Sequence, residues 1–91
     1  MPRLRLTTDA RETIANLPPR LQEAVANAID SLRVDPWARG KPLRGAFRPL
    51  WSARVGSYRI LYTIEGSAQS ATVVVRAIRH RVVAYRRRRE T

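Results

Sequence analysis

Leu50 to Ile64 alternates in side-chain character on either side of a Gly56-Ser57 pair, and this pattern constrains the fold more than any other stretch. Successive side chains of a strand point to opposite faces. A two-residue link that opens on glycine suits a hairpin with a type II′ turn. The phase of both strands follows. Trp51, Ala53 and Val55 share one face, as do Tyr58, Ile60, Tyr62 and Ile64, and these sets are expected against a core. Arg54 and Arg59 then emerge together on the opposite, exposed face.

The segments around this hairpin complete an α+β pattern. Pro2 to Thr7 alternates leucine with arginine and reads as a short edge strand. Thr7-Thr8-Asp9 reads as a helix start, with Asp9 and Glu12 at the spacing of a capping box. Pro18 stops that helix, and Pro19 opens a second, where its missing N–H does no harm. Leu21, Val25, Ile29 and Leu32 form one apolar stripe along the second helix, which Asp35-Pro36 ends. Pro36 to Pro49, rich in glycine and proline, reads as a loop. Ala71 to Ile78 is a β-branched run expected of a central strand buried on both sides, and Val82 to Tyr85 of a last short strand. The expected architecture is a single domain over residues 1–91. In it an N-terminal strand and a helical hairpin pack on a twisted, mostly antiparallel β-sheet.

Charge divides the chain unevenly. The first 37 residues carry five basic and five acidic side chains, whereas the remainder supplies the whole net charge of +11. All but one of the 18 basic residues are arginine, which grips phosphate through a planar fork and stays protonated. A neutral scaffold with a cationic face is the footprint of a protein that works on a polyanion, most often nucleic acid. The absence of cysteine excludes thiolate chemistry and cysteine-ligated metals, and a single histidine argues against a histidine-rich site. No apolar run is long enough to span a membrane, so a cytoplasmic protein without membrane contact is expected. Gly40-Lys41 lacks the spacing of a phosphate-binding P-loop.

Several segments contribute to the cationic surface: Arg39, Lys41, Arg44 and Arg48 from the loop, Arg54 and Arg59 from the hairpin, and His80-Arg81 and Tyr85 beyond. In this order, with Pro42-Leu43-Arg44-Gly45 and the run Trp51 to Tyr62, the chain resembles the RelE/ParE toxin superfamily of toxin–antitoxin pairs. The resemblance implies the RelE-like microbial RNase fold. Within the superfamily, RelE-like members are ribosome-dependent endonucleases that cut mRNA in the A site, and ParE-like members bind DNA gyrase. Matches at Arg54, Arg59, Arg81 and Tyr85 favour the nuclease.

The implied reaction is attack of a ribose 2′-OH on the adjacent phosphate, without cofactor or metal. The products are a 2′,3′-cyclic phosphate and a 5′-OH. On this resemblance Arg59 and Arg81, with Arg54 beside them, stabilise the phosphate, and Tyr85 stacks on a base or aligns the 2′-OH. RelE-like enzymes often carry a further basic residue where this chain has Ser52. Arginine is a poor base, and His80 is the side chain whose ordinary titration range suits proton transfer near neutrality. Its alternative reading is a phosphate ligand or a packed strand end. Arg39, Lys41, Arg44 and Arg48, with the tail residues Arg86, Arg87, Arg88 and Arg89 within residues 86–91, are the expected RNA or ribosome contacts, although the tail also reads as a solvated end. The implied partners are a cognate antitoxin, the ribosome and mRNA. Two rivals stand beside the nuclease: a ParE-like gyrase inhibitor and a non-catalytic nucleic-acid-binding module.

Overall fold

The computed structural model describes residues 2–67 and 69–80. Arg81, Tyr85 and the tail Arg86–Arg89, together with the short strand expected at Val82 to Tyr85, lie outside the described residues. The elements run β1 (Arg3–Leu6), α1 (Thr8–Ala15), α2 (Pro19–Val34), a single helical turn α3 (Pro36–Arg39), β2 (Lys41–Pro42), β3 (Trp51–Val55), β4 (Tyr58–Glu65) and β5 (Thr72–His80). A 3-10 turn at Gly45–Phe47 separates β2 from β3.

The strands form one sheet in the order β1-β5-β4-β3-β2. The β1–β5 pair is parallel and every other pair antiparallel, so the expected mostly antiparallel sheet and helical hairpin are present. The hairpin phase is also as expected. Val55 faces Tyr58 across the turn, Ala53 faces Ile60 and Trp51 faces Tyr62. Gly56 has φ 58° and Ser57 does not have positive φ, which fits a type II′ link and not type I′.

One face of the sheet packs under the helices. Ala10, Val25, Ile29 and Leu32 meet Ala53, Ile60, Tyr62, Val73, Val75 and Ile78 in a single core, with Trp51, Val55, Tyr58 and Ile64 at its margin. Three of the four residues of the expected α2 stripe are buried, and Leu21 is half-buried. β5 holds a central place between β1 and β4, but burial on both sides ends at Val75, because Arg76 is exposed. The register with β4 slips there. Leu61 pairs with Ala77 and Tyr62 with Val75, so Arg76 is an extra residue that bends the ladder and shifts the phase.

Two local expectations are corrected. The N-cap of α1 is Thr7 and not Asp9: its hydroxyl accepts from the Ala10 N–H at 3.1 Å and donates to the Arg76 carbonyl at 2.7 Å. A contact with β5 therefore sets where the helix begins, and the Asp9/Glu12 spacing is not used as a capping box. The segment Pro36 to Pro49 is not a plain loop. Asp35 ends α2 and caps α3 through its carboxylate, which accepts from the Ala38 N–H at 3.1 Å. Lys41 and Pro42 then add a short edge strand against β3, where a missing proline N–H is tolerated.

Candidate nucleic-acid interface

The hairpin register sets Arg54 directly opposite Arg59, on the sheet face turned away from the helices. Next to them, β2 sets Lys41 opposite Ser52 on the same face. The chain reaches this edge through α3, which delivers Arg39 just before it. These side chains line a cleft of about 490 Å³ bounded by Ala38, Arg39, Gly40, Lys41, Ser52, Arg54 and Arg59. Four of the seven described lining residues are cations and none is acidic, so the cleft attracts anions, and its described residues offer a metal ion no carboxylate, thiol or imidazole.

A buried tyrosine fixes the wall of this cleft. The Tyr62 hydroxyl donates to the Pro36 carbonyl at 2.7 Å, and its ring stacks on Trp51 with centroids 6.2 Å apart. Burial, and secondarily the Asp35 carboxylate, push the Tyr62 hydroxyl up to about 12, so it remains a donor at any physiological pH. Gly40 passes over this hydroxyl. A Cβ at Gly40 would collide with Tyr62 Oη and lie 2.9 Å from the Ser52 carbonyl oxygen, so β2 reaches β3 only because residue 40 has no side chain.

Two of the described cations are held in ion pairs. Arg76 donates to Glu65 at 2.9 Å and to Thr63 at 3.2 Å, and Arg79 clasps both Asp9 oxygens at 2.6 and 3.1 Å. Hydrogen bonds from Arg79 hold the Asp9 carboxyl below its ordinary value. These are the two ion pairs among the described residues. Neither involves a cation of the cleft. Arg59 Nε, like Arg33 Nε on α2, is in addition buried without a hydrogen-bond partner, an arrangement that costs roughly 1–3 kcal/mol.

The sequence-derived candidates thus separate in space. Arg54, Arg59, Arg39 and Lys41 come together, the last two as part of the same cleft and not as outlying contacts. Arg44 and Arg48 flank the 3-10 turn, are exposed, and do not line it. His80 pairs across the ladder with Tyr58, and their rings meet edge-on at 5.4 Å. Strand alternation sets that pair on the face opposite Arg54 and Arg59. Ser52 lines the cleft beside Arg54, at the position where the resemblance implies a further cation, whereas Gly40 and the Tyr62 anchor were not legible as parts of a site. The available signal was the Gly40-Lys41-Pro42 run, a small residue and a lysine just before an edge-compatible proline.

A family model described as "ParE toxin of type II toxin-antitoxin system, parDE" matches residues 4–85. The chain belongs to the RelE/ParE toxin superfamily. Among the members it resembles is Toxin RelG of Mycobacterium tuberculosis, 42% identical over 85 residues that span 92% of this chain and 95% of the relative. The toxin–antitoxin complex RelBE2 from the same organism contains a chain of 40% identity and TM-score 0.78, matched over 89% of this chain and all of that one. A YoeB/ParE toxin from Agrobacterium tumefaciens shares the fold at TM-score 0.73 and 22% identity, over 86% of this chain and 96% of that one. The RelE/ParE fold is therefore the frame that carries the four-cation cleft. Among the described residues no helix is long and apolar enough to cross a membrane.

Proposed function

We propose that this toxin is a ribosome-dependent mRNA endonuclease that cleaves by attack of a 2′-OH on the neighbouring phosphate. One observation carries the reading: Arg39, Lys41, Arg54 and Arg59 converge on a single cleft with no acidic residue in its described lining, and neither of the two ion pairs among the described residues involves them. Preorganised cations around a phosphate stabilise the charge that grows on it in the transition state. The unpartnered Arg59 Nε supplies a donor for a non-bridging oxygen. Arg81 and Tyr85 complete the site in this reading, with Arg81 on the phosphate and Tyr85 on a base or the 2′-OH. The tail arginines, with Arg44 and Arg48, add affinity for ribosomal RNA. The partner is an antitoxin whose acidic segment covers the cationic face, consistent with the antitoxin present in the RelBE2 structure.

The test is primer extension on a defined message in a bacterial translation extract. New ends inside codons, formed only when ribosomes are present and reduced about 10²-fold or more by Arg59→Ala, are expected for loss of one transition-state donor. Intact message with the wild-type protein overturns the reading. The description of the matching family model favours one second reading, a gyrase inhibitor. Loss of supercoiling by purified gyrase, with the message left intact, would establish it instead.

A further inference from the structure

Cleavage by a 2′-OH leaves an alkoxide at the 5′-oxygen unless a proton reaches it as the P–O bond breaks. Among the described residues, the cleft holds three guanidiniums, which do not give up a proton in proteins, and one ammonium, which can. That ammonium belongs to Lys41, the single lysine among the chain's 18 basic residues. Its place is specific. β2 is only two residues long, and its pairing sets Lys41 opposite Ser52. Cross-strand neighbours of this kind have Cβ atoms about 4.5–5.5 Å apart. Ser52 is small and buried at the cleft floor, so Lys41 stands over the cleft from the edge strand while Arg54 and Arg59 hold the sheet side.

We infer that Lys41 is the general acid of this cleft, delivering its Nζ proton to the leaving 5′-oxygen. The assignment rests on the endonuclease reading and goes beyond it by naming the proton donor. In the step, the 2′-OH gives its proton to a solvent hydroxide and the 2′-oxygen bonds to phosphorus. The bonding pair of P–O5′ departs with the 5′-oxygen, which takes the proton from Lys41. The neutral amine then regains a proton from water. The products are a 2′,3′-cyclic phosphate and a 5′-OH, and no other reactant is needed.

A sulfur leaving group separates this role from charge or positioning, because a thiolate departs without a proton. Single-turnover cleavage is measured on ribosomes carrying a message with either the ordinary linkage or a 5′-bridging phosphorothiolate at the A-site codon. The proteins compared are wild type, Lys41→Arg and Lys41→Met. The expected result for Lys41→Arg is a loss of about 10²–10⁴-fold on the oxygen linkage with sulfur-linkage cleavage near the wild-type rate, which also shows that the variant is folded. Lys41→Met should show the same selective rescue, at lower ribosome affinity. Near-wild-type cleavage of the oxygen linkage by Lys41→Arg overturns the assignment in favour of charge alone. Equal losses on both linkages overturn it in favour of positioning. A wild-type protein inert on both linkages overturns the endonuclease reading, and the Lys41 assignment with it.

Discussion

Arg54 and Arg59 face each other across two strands, where like charges oppose folding. Replacing one of them therefore raises stability as it lowers activity. Arg54→Thr keeps a β-compatible residue and removes the repulsion. A gain of about 0.2–1 kcal/mol corresponds to a few degrees in Tm for a domain of this size. Calorimetry at low salt should show the rise, and added salt should shrink it; a lower Tm would mean that the arginine stem contributes more by packing than its charge costs. The Asp9–Arg79 pair has the opposite character. Its partners are 50% and 37% exposed in their side chains, so it contributes under about 1 kcal/mol. Asp9 is depressed in the folded state by Arg79. Its contribution is complete above the unfolded aspartate value of about 3.9 and disappears as pH falls through the lower folded value. The urea midpoint of Asp9→Asn should lie below wild type at pH 7 and converge with it in that acid range. A gap that persists there would assign the effect to the helix start and not to the ion pair.

At the scale of elements, the wall of the cleft depends on close packing between residue 40 and the Tyr62 hydroxyl. Gly40→Ala should cost about 1–3 kcal/mol, as overpacking does, and should weaken cleavage by pushing β2 away from β3. Tyr62→Phe alone removes a buried hydrogen bond worth about 1 kcal/mol, and it also vacates the space that the new methyl needs. The two costs should therefore be less than additive in the double variant, measured by denaturant unfolding; strict additivity would mean that the Ser52 carbonyl sets the clash. These elements mark where sequence reading succeeds and where it stops. The β3–β4 hairpin is legible because its alternation runs over enough residues to fix a phase, and that phase alone sets Arg54 beside Arg59. β2 is not, since two residues, one of them proline, carry no period. The bulge at Arg76 follows from tertiary register; in the sequence it shows only as a charge that interrupts the β-branched run after Val75, and a charge alone does not announce a register shift. Asp9 has the spacing of a cap, but Thr7 takes that place through its bond to the Arg76 carbonyl, and the Asp9 carboxylate pairs instead with Arg79, 70 residues away.

For the molecule as a whole, the sheet order makes β5 the joint between the two ends of the fold. β5 pairs with β1 on one edge and β4 on the other, and Thr7 also bonds its Arg76 carbonyl. A chain cut to residues 1–70 keeps every residue lining the cleft and both long helices, yet it loses Val73, Val75 and Ile78 from the core. It should show neither cooperative unfolding nor protected amides in hydrogen exchange; native-like protection in β3 and β4 would overturn the view that the domain is one cooperative unit. The same joint governs the moment at which the toxin comes into being. Arg3 pairs with Thr72, so the first strand leaves the ribosome long before its neighbour has been translated. A protein proposed to attack translating ribosomes is thus unassembled until β5 has emerged, and the ribosome that makes it has read past every codon of the cleft before an active site exists to cut the message.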